Sequence, residues 1–397
     1  MSTFSPKQKA VAILPKPFSL LSIIGSSYIV YHVLKNPKRR RAVQYQILLG
    51  LSLADIMASI SFFVGTWPIP AYVNDEQPTV YLASGTDPLC DAHGFFVQAT
   101  IMTPVYNAAL SLYYVLVVKM GWNERKIRRV RWWFHVFPLA IGFGTAIAGQ
   151  VLKLYGNATL WCWISPASGN EEWNLYRWAF YYGILWFMAL VIIIPSMIVI
   201  YVHVRRQEAA AAKWRHGQSQ AQQFANSRKV AMQGISFSVS FIVTWIFPTL
   251  TRLMQAINGV TYYPLVVLFA IFLPLQGFFN AGCFLRPKYL KYRKDNPHAS
   301  ISTLMKKCVF SGDGKLGSVL VTMFPSTKSN AEHMNMNSRR SSNQNGDEED
   351  LAETNAQDIE HTSMGKDGPE RRKSIKWADG DDGDKEEEEM KEAVHDN

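Results

Sequence analysis

The amino-acid sequence predicts an all-α membrane protein: a seven-transmembrane helix bundle with its N-terminus outside and a disordered cytosolic C-terminal tail. Two observations carry this prediction. The first 285 residues contain seven apolar stretches of the length that crosses a bilayer. Lys and Arg also crowd into every second connection between these stretches, a parity that a soluble enzyme has no reason to adopt.

The predicted spans follow from length and apolar composition. A helix rises about 1.5 Å per residue and the hydrocarbon core is about 30 Å thick, so about twenty apolar residues suffice. Numbered one to seven, the spans are Phe18–Leu34, Ala42–Thr66, Ala92–Val118, Trp132–Leu152, Tyr176–Val204, Val230–Ile257 and Tyr262–Leu285. Span one is the shortest, and two starts stay open. Either it begins near Phe18 with little tilt, or apolar residues from Val11 continue it past Pro15 and Pro17.

Loop charge sets the predicted orientation, because Lys and Arg are retained on the cytoplasmic side. The basic residues after spans one, three and five are Lys35, Lys38, Arg39, Arg40, Arg41, then Lys119, Arg125, Lys126, Arg128, Arg129, Arg131, and then Arg205, Arg206, Lys213, Arg215, Arg228, Lys229. The alternate loops hold the acidic residues Asp75, Glu76, Asp87, Glu171 and Glu172. The N-terminus is therefore predicted outside, with Lys7, Lys9 and Lys16 as basic exceptions on that side.

Four regions follow from this orientation: an extracellular N-terminus (1–17), a seven-span domain (18–285), an amphipathic juxtamembrane helix (286–296) and the cytosolic tail (297–397). Apolar and basic residues alternate in 286–296, which suits a helix lying on the inner leaflet. Acidic blocks and few aromatic residues predict disorder in the tail. No secretory signal peptide is expected, because the charged, proline-containing leader lacks a small-residue cleavage site.

The composition argues against several functions. The formal net charge is +10, but its basic excess lies in loops that flank the membrane, where anionic lipid explains it without nucleic acid. The nine histidines are scattered, and no His/Cys/Asp cluster has the spacing of metal ligands. Hydrolase and kinase signatures are absent, so neither an enzymatic activity nor a cofactor is predicted.

Topology predicts how the four cysteines are used. Cys90 lies at the outer start of span three and Cys162 in the second outer loop, whereas Cys283 and Cys308 lie at or beyond the inner face. Only the first two share the oxidising side, so they are predicted to form a disulfide. The same outer loop contains the sequon Asn157-Ala158-Thr159, which predicts a glycan on Asn157.

Three serines in the tail follow basic clusters: Ser341, Ser342 and Ser374. Basophilic kinases require this arrangement, so kinases are expected partners of the tail, and a phosphate there would reverse the local charge. Chance matches are frequent in segments of this composition, and that alternative stays open.

Asp55 is an acidic residue in the middle of span two. An ionisable group at that depth costs about 2.5 to 3.5 kcal/mol on insertion scales, so Asp55 is expected to face the bundle interior and to find partners there. The candidates at comparable depth are Asn107, Ser111, Gln276 and Asn280. Two interpretations stay open: a polar switch or cation site that rearranges on activation, and a static network that selects one helix packing.

Span six carries a predicted hinge and one functional face. Pro248 removes a backbone hydrogen bond and predicts a kink, while Trp245, Thr249 and Arg252 recur at helical spacing on one face. Arg252 has two interpretations: a contact to an anionic group of a ligand, or a side chain that extends to the membrane interface. The full set of candidate ligand contacts is His93, Gln98, Tyr106, Trp245, Thr249, Arg252 and Tyr263.

These residues together resemble the G-protein-coupled receptors. The resemblance rests on seven spans, Asp55 in Leu-Ala-Asp, Cys90 with a Cys-Trp in the second outer loop, and Trp245 near Pro248. Within that superfamily, LSIIGS at 21–26, CDAHGFFVQ at 90–98 and PLQGFFN at 274–280 are most similar to the cyclic-AMP-receptor-like branch. The similarity covers about residues 18–294. Rhodopsin-like receptors end span three with Asp-Arg-Tyr and carry Asn-Pro-x-x-Tyr in span seven, and both motifs are absent here.

The resemblance implies a mechanism at the plasma membrane. An extracellular ligand of unknown identity would bind among the outer ends of spans three, five, six and seven, and span six would pivot near Pro248 to open a cytoplasmic cleft. Basic inner loops would then contact a heterotrimeric G protein through Lys119, Arg125, Lys126, Arg128, Arg129, Arg228 and Lys229. The positive-inside rule explains the same charges equally well.

Three other classes of protein share parts of this pattern. A retinal photosensor needs a Schiff-base lysine, and Tyr262–Leu285 contains none. A transporter or channel would usually show internal repeats or two broken spans in matching positions, and neither is visible. A non-signalling membrane scaffold, with the acidic tail as its working part, stays open as well.

Overall fold

The computed structural model of the protein describes residues 4–71, 80–213, 218–303 and 308. These residues contain seven helical spans long and apolar enough to cross a membrane, which confirms the predicted fold class. They are Pro6–Lys35, Val43–Val64, Asp87–Val118, Glu124–Val151, Trp173–Ala209, Arg228–Asn258 and Tyr263–Asp295. The predicted phosphorylation sites Ser341, Ser342 and Ser374, the acidic residues Asp75 and Glu76, and most of the tail lie outside the described residues.

Several spans consist of more than one helical segment. The α-helices are Pro6–Ile13, Pro15–Lys35, Pro37–Arg41, Val43–Val64, Asp87–Ala99, Met102–Val118, Glu124–Val130, Trp133–Val151, Trp173–Arg177, Ile184–Phe187, Ile194–Lys213, Gln218–Asn258, Tyr263–Phe272 and Gln276–Asp295. Span five also contains the π-helical segments Trp178–Gly183 and Met188–Ile193, and 3₁₀ turns form at Pro166–Ser168 and Leu273–Leu275. The helix from Gln276 runs through Pro287 to Asp295 without a break at the predicted start of the juxtamembrane helix.

Span one takes the longer of its two expected forms. A capping box formed by Ser5 and Gln8 begins a helix at Pro6, and only Leu14 separates this helix from the one that begins at Pro15. Lys16, one of the basic exceptions on the outer side, donates from Nζ to the carbonyl oxygens of Phe63 (2.8 Å) and Val64 (3.3 Å). Its charge therefore caps the C-terminal end of span two.

Span three lies at the centre of the bundle. In its apolar window 78% of the residues are buried, against 22% for spans four and five. Small residues bring span one close to its neighbours: the Ser22 hydroxyl accepts from the Gly277 amide (3.0 Å) and from Ser59 Oγ (2.9 Å). Hydrogen bonds and close backbone contacts of this kind hold helices together where lipid removes the hydrophobic driving force.

The second outer loop folds back over span three. Its strands Tyr155–Asn157 and Cys162–Ile164 pair antiparallel, and a disulfide joins Cys90 to Cys162 with their Cα atoms 5.3 Å apart. The predicted disulfide is thus confirmed. Tyr155 donates its hydroxyl hydrogen to the carbonyl of Ala146 in span four (2.8 Å), which holds the hairpin against the helix ends.

Candidate functional site

Asp55 is almost fully buried and belongs to a polar network in the middle of the bundle. Its Oδ2 accepts a hydrogen bond from Asn280 Nδ2 at 2.8 Å, which links span two to span seven. Asn280 Oδ1 accepts in turn from Gln276 Nε2 and from Ser240 Oγ, each at 3.4 Å. Thr244 donates to Gln276 Oε1 as well as to its own helix. The network therefore continues into span six.

Ser240 and Thr244 are members of the network that sequence reasoning missed. They lie four residues apart, with Trp245 next in the chain, so they belong to one face of span six. Their four-residue spacing in the middle of span six is the sequence signal for this face.

The structure does not bring two of the predicted Asp55 partners into the network. Asn107 donates to the carbonyl of Thr103 in its own helix (3.0 Å), and Ser111 donates to the carbonyl of Asn107 (2.9 Å). Ser111 also lies 3.4 Å from Ser238 Oγ, a separate polar contact between spans three and six. A cavity of about 10 Å³, close to the volume that one water needs, lies between Asp55, Trp245 and Gln276.

An aromatic cluster fills the space above this network. Tyr181 packs against Trp163 of the second outer loop at 4.9 Å and against Trp245 of span six at 6.1 Å between ring centroids. The Trp163 indole donates to Gln98 Oε1 (2.9 Å), and Gln98 Nε2 donates to the carbonyl of Phe180 (3.1 Å). The predicted ligand contacts Gln98 and Trp245 are therefore parts of one cluster that joins spans three, five and six to the outer loop.

Two arginines border this cluster. The predicted residue Arg252 is half-buried, donates from Nε to the Tyr182 hydroxyl (2.9 Å), and has its guanidinium carbon 5.9 Å from the centroid of the Trp163 ring. Arg177 of span five, which the sequence did not single out, lies 5.2 Å from the same ring and donates to the carbonyl of Ile164.

Four other predicted ligand contacts lie elsewhere or at the margin. His93 is buried against span two, with Nε2 2.9 Å from the carbonyl of Ser61. Tyr106 lies 3.4 Å from Nδ1 of His135 in span four and does not join the aromatic cluster. Thr249 is half-buried one turn below Arg252, and the ring of Tyr263 lies under the ammonium group of Lys7 at 5.3 Å.

Tyr106 and His135 line a larger cavity of about 590 Å³ between spans two, three and four. Its wall includes side chains that are strongly exposed in the bundle, such as Leu53 (52%) and Trp132 (63%). Because these residues face the surroundings of a membrane protein, the cavity opens toward lipid and is separate from the aromatic cluster.

The inner half of span six is closed against its neighbours. Gln233 Nε2 donates to the carbonyl of Cys283 (2.7 Å), and Arg286 Nη1 donates to the carbonyl of Met232 (3.1 Å). A Cβ atom added to Gly234 would lie 2.7 Å from Cγ of Tyr114 in span three, so the two helices touch there.

All seven predicted contacts to a G protein lie exposed on the inner side. They are Lys119, Arg125, Lys126, Arg128, Arg129, Arg228 and Lys229. Glu208 at the inner end of span five pairs with Arg228 (3.0 Å) and with Arg205 (3.6 Å), which joins the inner ends of spans five and six. Exposed ion pairs of this kind are worth about 0 to 1 kcal/mol and break easily.

Comparison with known proteins agrees with this architecture. The fold matches squid rhodopsin with a TM-score of 0.56 over 82% of this chain and 93% of rhodopsin, at 13% sequence identity, so this likeness concerns the fold alone. The human (Homo sapiens) G-protein coupled receptor 157 is 25% identical over 53% of this chain and 58% of its own length. The Ascaroside receptor GPR3 of Arthrobotrys oligospora is 25% identical over 48% of this chain and 45% of its own length. The chain thus spans about half the length of these relatives.

The decisive match is at the level of the family. The model of the 7 transmembrane receptor (rhodopsin family) matches residues 25–277, which is well over half of the chain and includes Asp55, Cys90 and Trp245. It holds although the Asp-Arg-Tyr and Asn-Pro-x-x-Tyr motifs are absent, while the closer resemblance to the cyclic-AMP-receptor-like branch stays a prediction. The chain is a multi-pass membrane protein that belongs to the rhodopsin family of seven-transmembrane receptors.

Proposed function

We propose that this protein is a receptor that binds an extracellular ligand and activates a cytosolic heterotrimeric G protein by an outward tilt of span six. Its relatives carry the names of receptors, and the motifs at 21–26, 90–98 and 274–280 favour the cyclic-AMP-receptor-like branch within the superfamily. Glycosylation of Asn157 and phosphorylation of the tail belong to the same proposal, because they follow from the same topology.

The observation that carries the proposal is the way span six is held. Its outer half contacts the aromatic cluster through Trp245, its middle joins the Asp55 network through Ser240 and Thr244, and Pro248 lies within the helix between Trp245 and Arg252. A proline in a helix interior removes one hydrogen bond and permits a bend. Span six therefore has a flexible point beside the residues that a ligand would contact.

The inner contacts of span six suit a closed state that opens at moderate cost. Apart from packing, those among the described residues include the hydrogen bonds of Gln233 and Arg286 to backbone carbonyls and the exposed pair between Arg228 and Glu208. The Cys283 thiol also bonds the Ser236 carbonyl, and Ser238 Oγ lies 3.4 Å from Ser111 Oγ. Each such bond contributes about 1 kcal/mol, so a ligand with a modest preference for the open state would shift the balance.

The close contact at Gly234 permits a test that needs no ligand. Because Tyr114 is fully buried and accepts a hydrogen bond from Gln44 Nε2 (2.9 Å), its ring has no room to retreat from a larger residue. Gly234→Val is therefore expected to push span six outward. A bias of about 1 kcal/mol would raise the open population about five-fold, and basal nucleotide exchange on co-reconstituted G-protein heterotrimers measures it.

Gly282→Val is the matched control, since a Cβ atom at Gly282 would meet no atom within 4 Å on the exposed face of span seven. It is expected to leave basal exchange unchanged. Equal exchange rates for wild type, Gly234→Val and Gly282→Val across a panel of Gα classes would contradict the proposal. A substrate flux or ionic current through the purified protein in liposomes would instead favour a transporter or channel.

A further inference from the structure

Arg177 and Arg252 come from different spans but share one aromatic ring. Their guanidinium carbons lie 5.2 Å and 5.9 Å from the centroid of the Trp163 indole, which is itself buried. Arg177 also lies 4.5 Å from the ring of Trp173. Each contact is a favourable cation–π arrangement for one arginine, but together they place two positive charges beside the same buried ring.

The described part of the chain places no acidic side chain in an ion pair with either arginine. Among the residues that the structure describes, neither Arg177 nor Arg252 has a carboxylate within the 4.0 Å of an ion pair. Their hydrogen bonds go to neutral acceptors: the Ile164 carbonyl for Arg177, and the Tyr182 hydroxyl and Gln255 Oε1 (2.7 Å) for Arg252. Each guanidinium has five N–H groups, so both retain donors beyond these bonds.

The two arginines are less exposed to solvent than charged side chains usually are. Both side chains are half-buried, and Tyr182 and Trp163 beside them are at most 3% exposed. Arg252 is also turned toward Tyr182 and the loop, which differs from a side chain extended to the membrane interface. Two like charges in such a setting repel each other and lose hydration, unless an anion joins them.

We propose that the ligand of this receptor carries an oxyanion, such as a carboxylate, phosphate or sulfate group, which binds between Arg177 and Arg252 beneath the second outer loop. This inference rests on the proposed function, because it names the chemistry of the ligand for the outer site. Planar guanidinium groups bind such anions through paired hydrogen bonds. The aromatic rings of Trp163, Trp173 and Tyr182 suit an apolar body attached to the anion.

The position of the pair connects binding to the movement of span six. Arg177 lies near the outer end of span five, and Arg252 follows Pro248 by one helical turn on the outer side of the proposed pivot. An anion that bridges them would draw the outer end of span six toward span five. Because the helix bends at Pro248, this shift is expected to act on its inner half.

Thermal unfolding in sulfate tests the site without a known ligand. The full-length receptor in phosphatidylcholine nanodiscs is compared in sodium sulfate and in sodium chloride of equal ionic strength. Sulfate that binds only the folded state is expected to raise the unfolding midpoint of the wild type by roughly 2 to 4 °C. Arg252→Gln and Arg177→Gln are expected to lose this difference, whereas Arg252→Lys keeps the charge and part of the effect.

Lys153→Gln is the matched control, because Lys153 is an exposed basic residue on the same side and its loss changes the net charge equally. It is expected to keep the full sulfate effect. The same sulfate effect in wild type and both glutamine variants, or no effect in wild type, would overturn the inference. The assay contains no G protein, so it tests the anion site independently of the proposed coupling. If the sulfate effect depends on the two arginines but the receptor never stimulates nucleotide exchange, the coupling is refuted and the anion site stands.

Discussion

Asn280→Leu is expected to destabilise the receptor by about 3 kcal/mol, which lowers its thermal unfolding midpoint by roughly 6 to 12 °C. Asn280 is fully buried and donates the hydrogen bond to Asp55 Oδ2 while accepting from Ser240. Leucine fills a similar volume but leaves the buried carboxylate without this donor. Thermal unfolding of the purified receptor in nanodiscs measures the loss.

Asn107→Leu is the appropriate control, because the one hydrogen bond that the Asn107 amide makes to the described residues goes to the carbonyl of Thr103 in its own helix. It is expected to cost about 1 kcal/mol. The exchange Asp55→Asn with Asn280→Asp should recover most of the stability, since an amide on span two can then donate to a carboxylate on span seven. Equal losses in Asn280→Leu and Asn107→Leu, with no recovery in the exchanged pair, would show that the Asp55 network is unimportant for stability.

The same variants separate the two interpretations of Asp55. In a static network, the exchanged pair restores both stability and basal nucleotide exchange. In a switch, the exchanged pair restores stability but changes exchange, because the charge now lies on span seven beside Ser240 and Gln276. We expect the outcome of a switch, because Ser240 of span six bonds directly to Asn280, the residue whose amide binds the Asp55 carboxylate.

Loss of the disulfide is the second large effect. Cys90 and Cys162 are 72 residues apart, and closing a loop of that length stabilises a fold by about 4 kcal/mol in the chain-entropy model. Cys90→Ser and Cys162→Ser are each expected to lower the unfolding midpoint by roughly 8 to 16 °C. The hairpin that carries Trp163 would also lose its anchor to span three, so less receptor is expected at the cell surface.

Cys283→Ser controls for the change of sulfur to oxygen. The Cys283 thiol donates to the Ser236 carbonyl (3.2 Å), and a serine hydroxyl can donate in the same way. Its unfolding midpoint is therefore expected to stay close to that of wild type. If all three serine variants unfold at the wild-type temperature, the covalent link contributes nothing measurable to the fold.

The fold was accessible from the sequence because its signals are strong and nearly independent of one another. Apolar length predicted the seven spans. The predicted orientation left Cys162 as the one cysteine that shares the oxidising side with Cys90, and these two form the disulfide. Only the start of span one stayed open. There the capping box at Ser5 begins a helix in a segment whose lysines and prolines are untypical of a membrane span.

The site was less accessible because it depends on how each helix is rotated about its axis. Asn280 and Gln276 were predicted beside Asp55 and lie there. Asn107 and Ser111 lie at comparable depth, but Asn107 bonds within span three, and Ser111 bonds within span three and contacts Ser238. When apolar residues lie on all sides of a span, the sequence does not show which side of the helix faces the bundle interior. Depth in the membrane alone therefore predicts more partners for Asp55 than the folded bundle provides.

Span five adds a second obstacle. The π-helical segments Trp178–Gly183 and Met188–Ile193 each interrupt the 3.6-residue period, so side chains that follow them point away from the directions expected for a regular helix. Arg177 stands just before the first segment and also meets a loop residue, Trp163, whose position depends on the disulfide. No spacing rule in the sequence connects these two residues.

The central claim is that span six moves outward on its inner side when the receptor engages a G protein. Spin labels on Arg40→Cys and Lys229→Cys, both exposed inner residues, in a background of Cys283→Ser and Cys308→Ser, report this movement as a distance distribution. We expect a distance several ångströms longer in the complex with a nucleotide-free heterotrimer than in the receptor alone. An unchanged distance in a complex that has demonstrably formed would contradict the account.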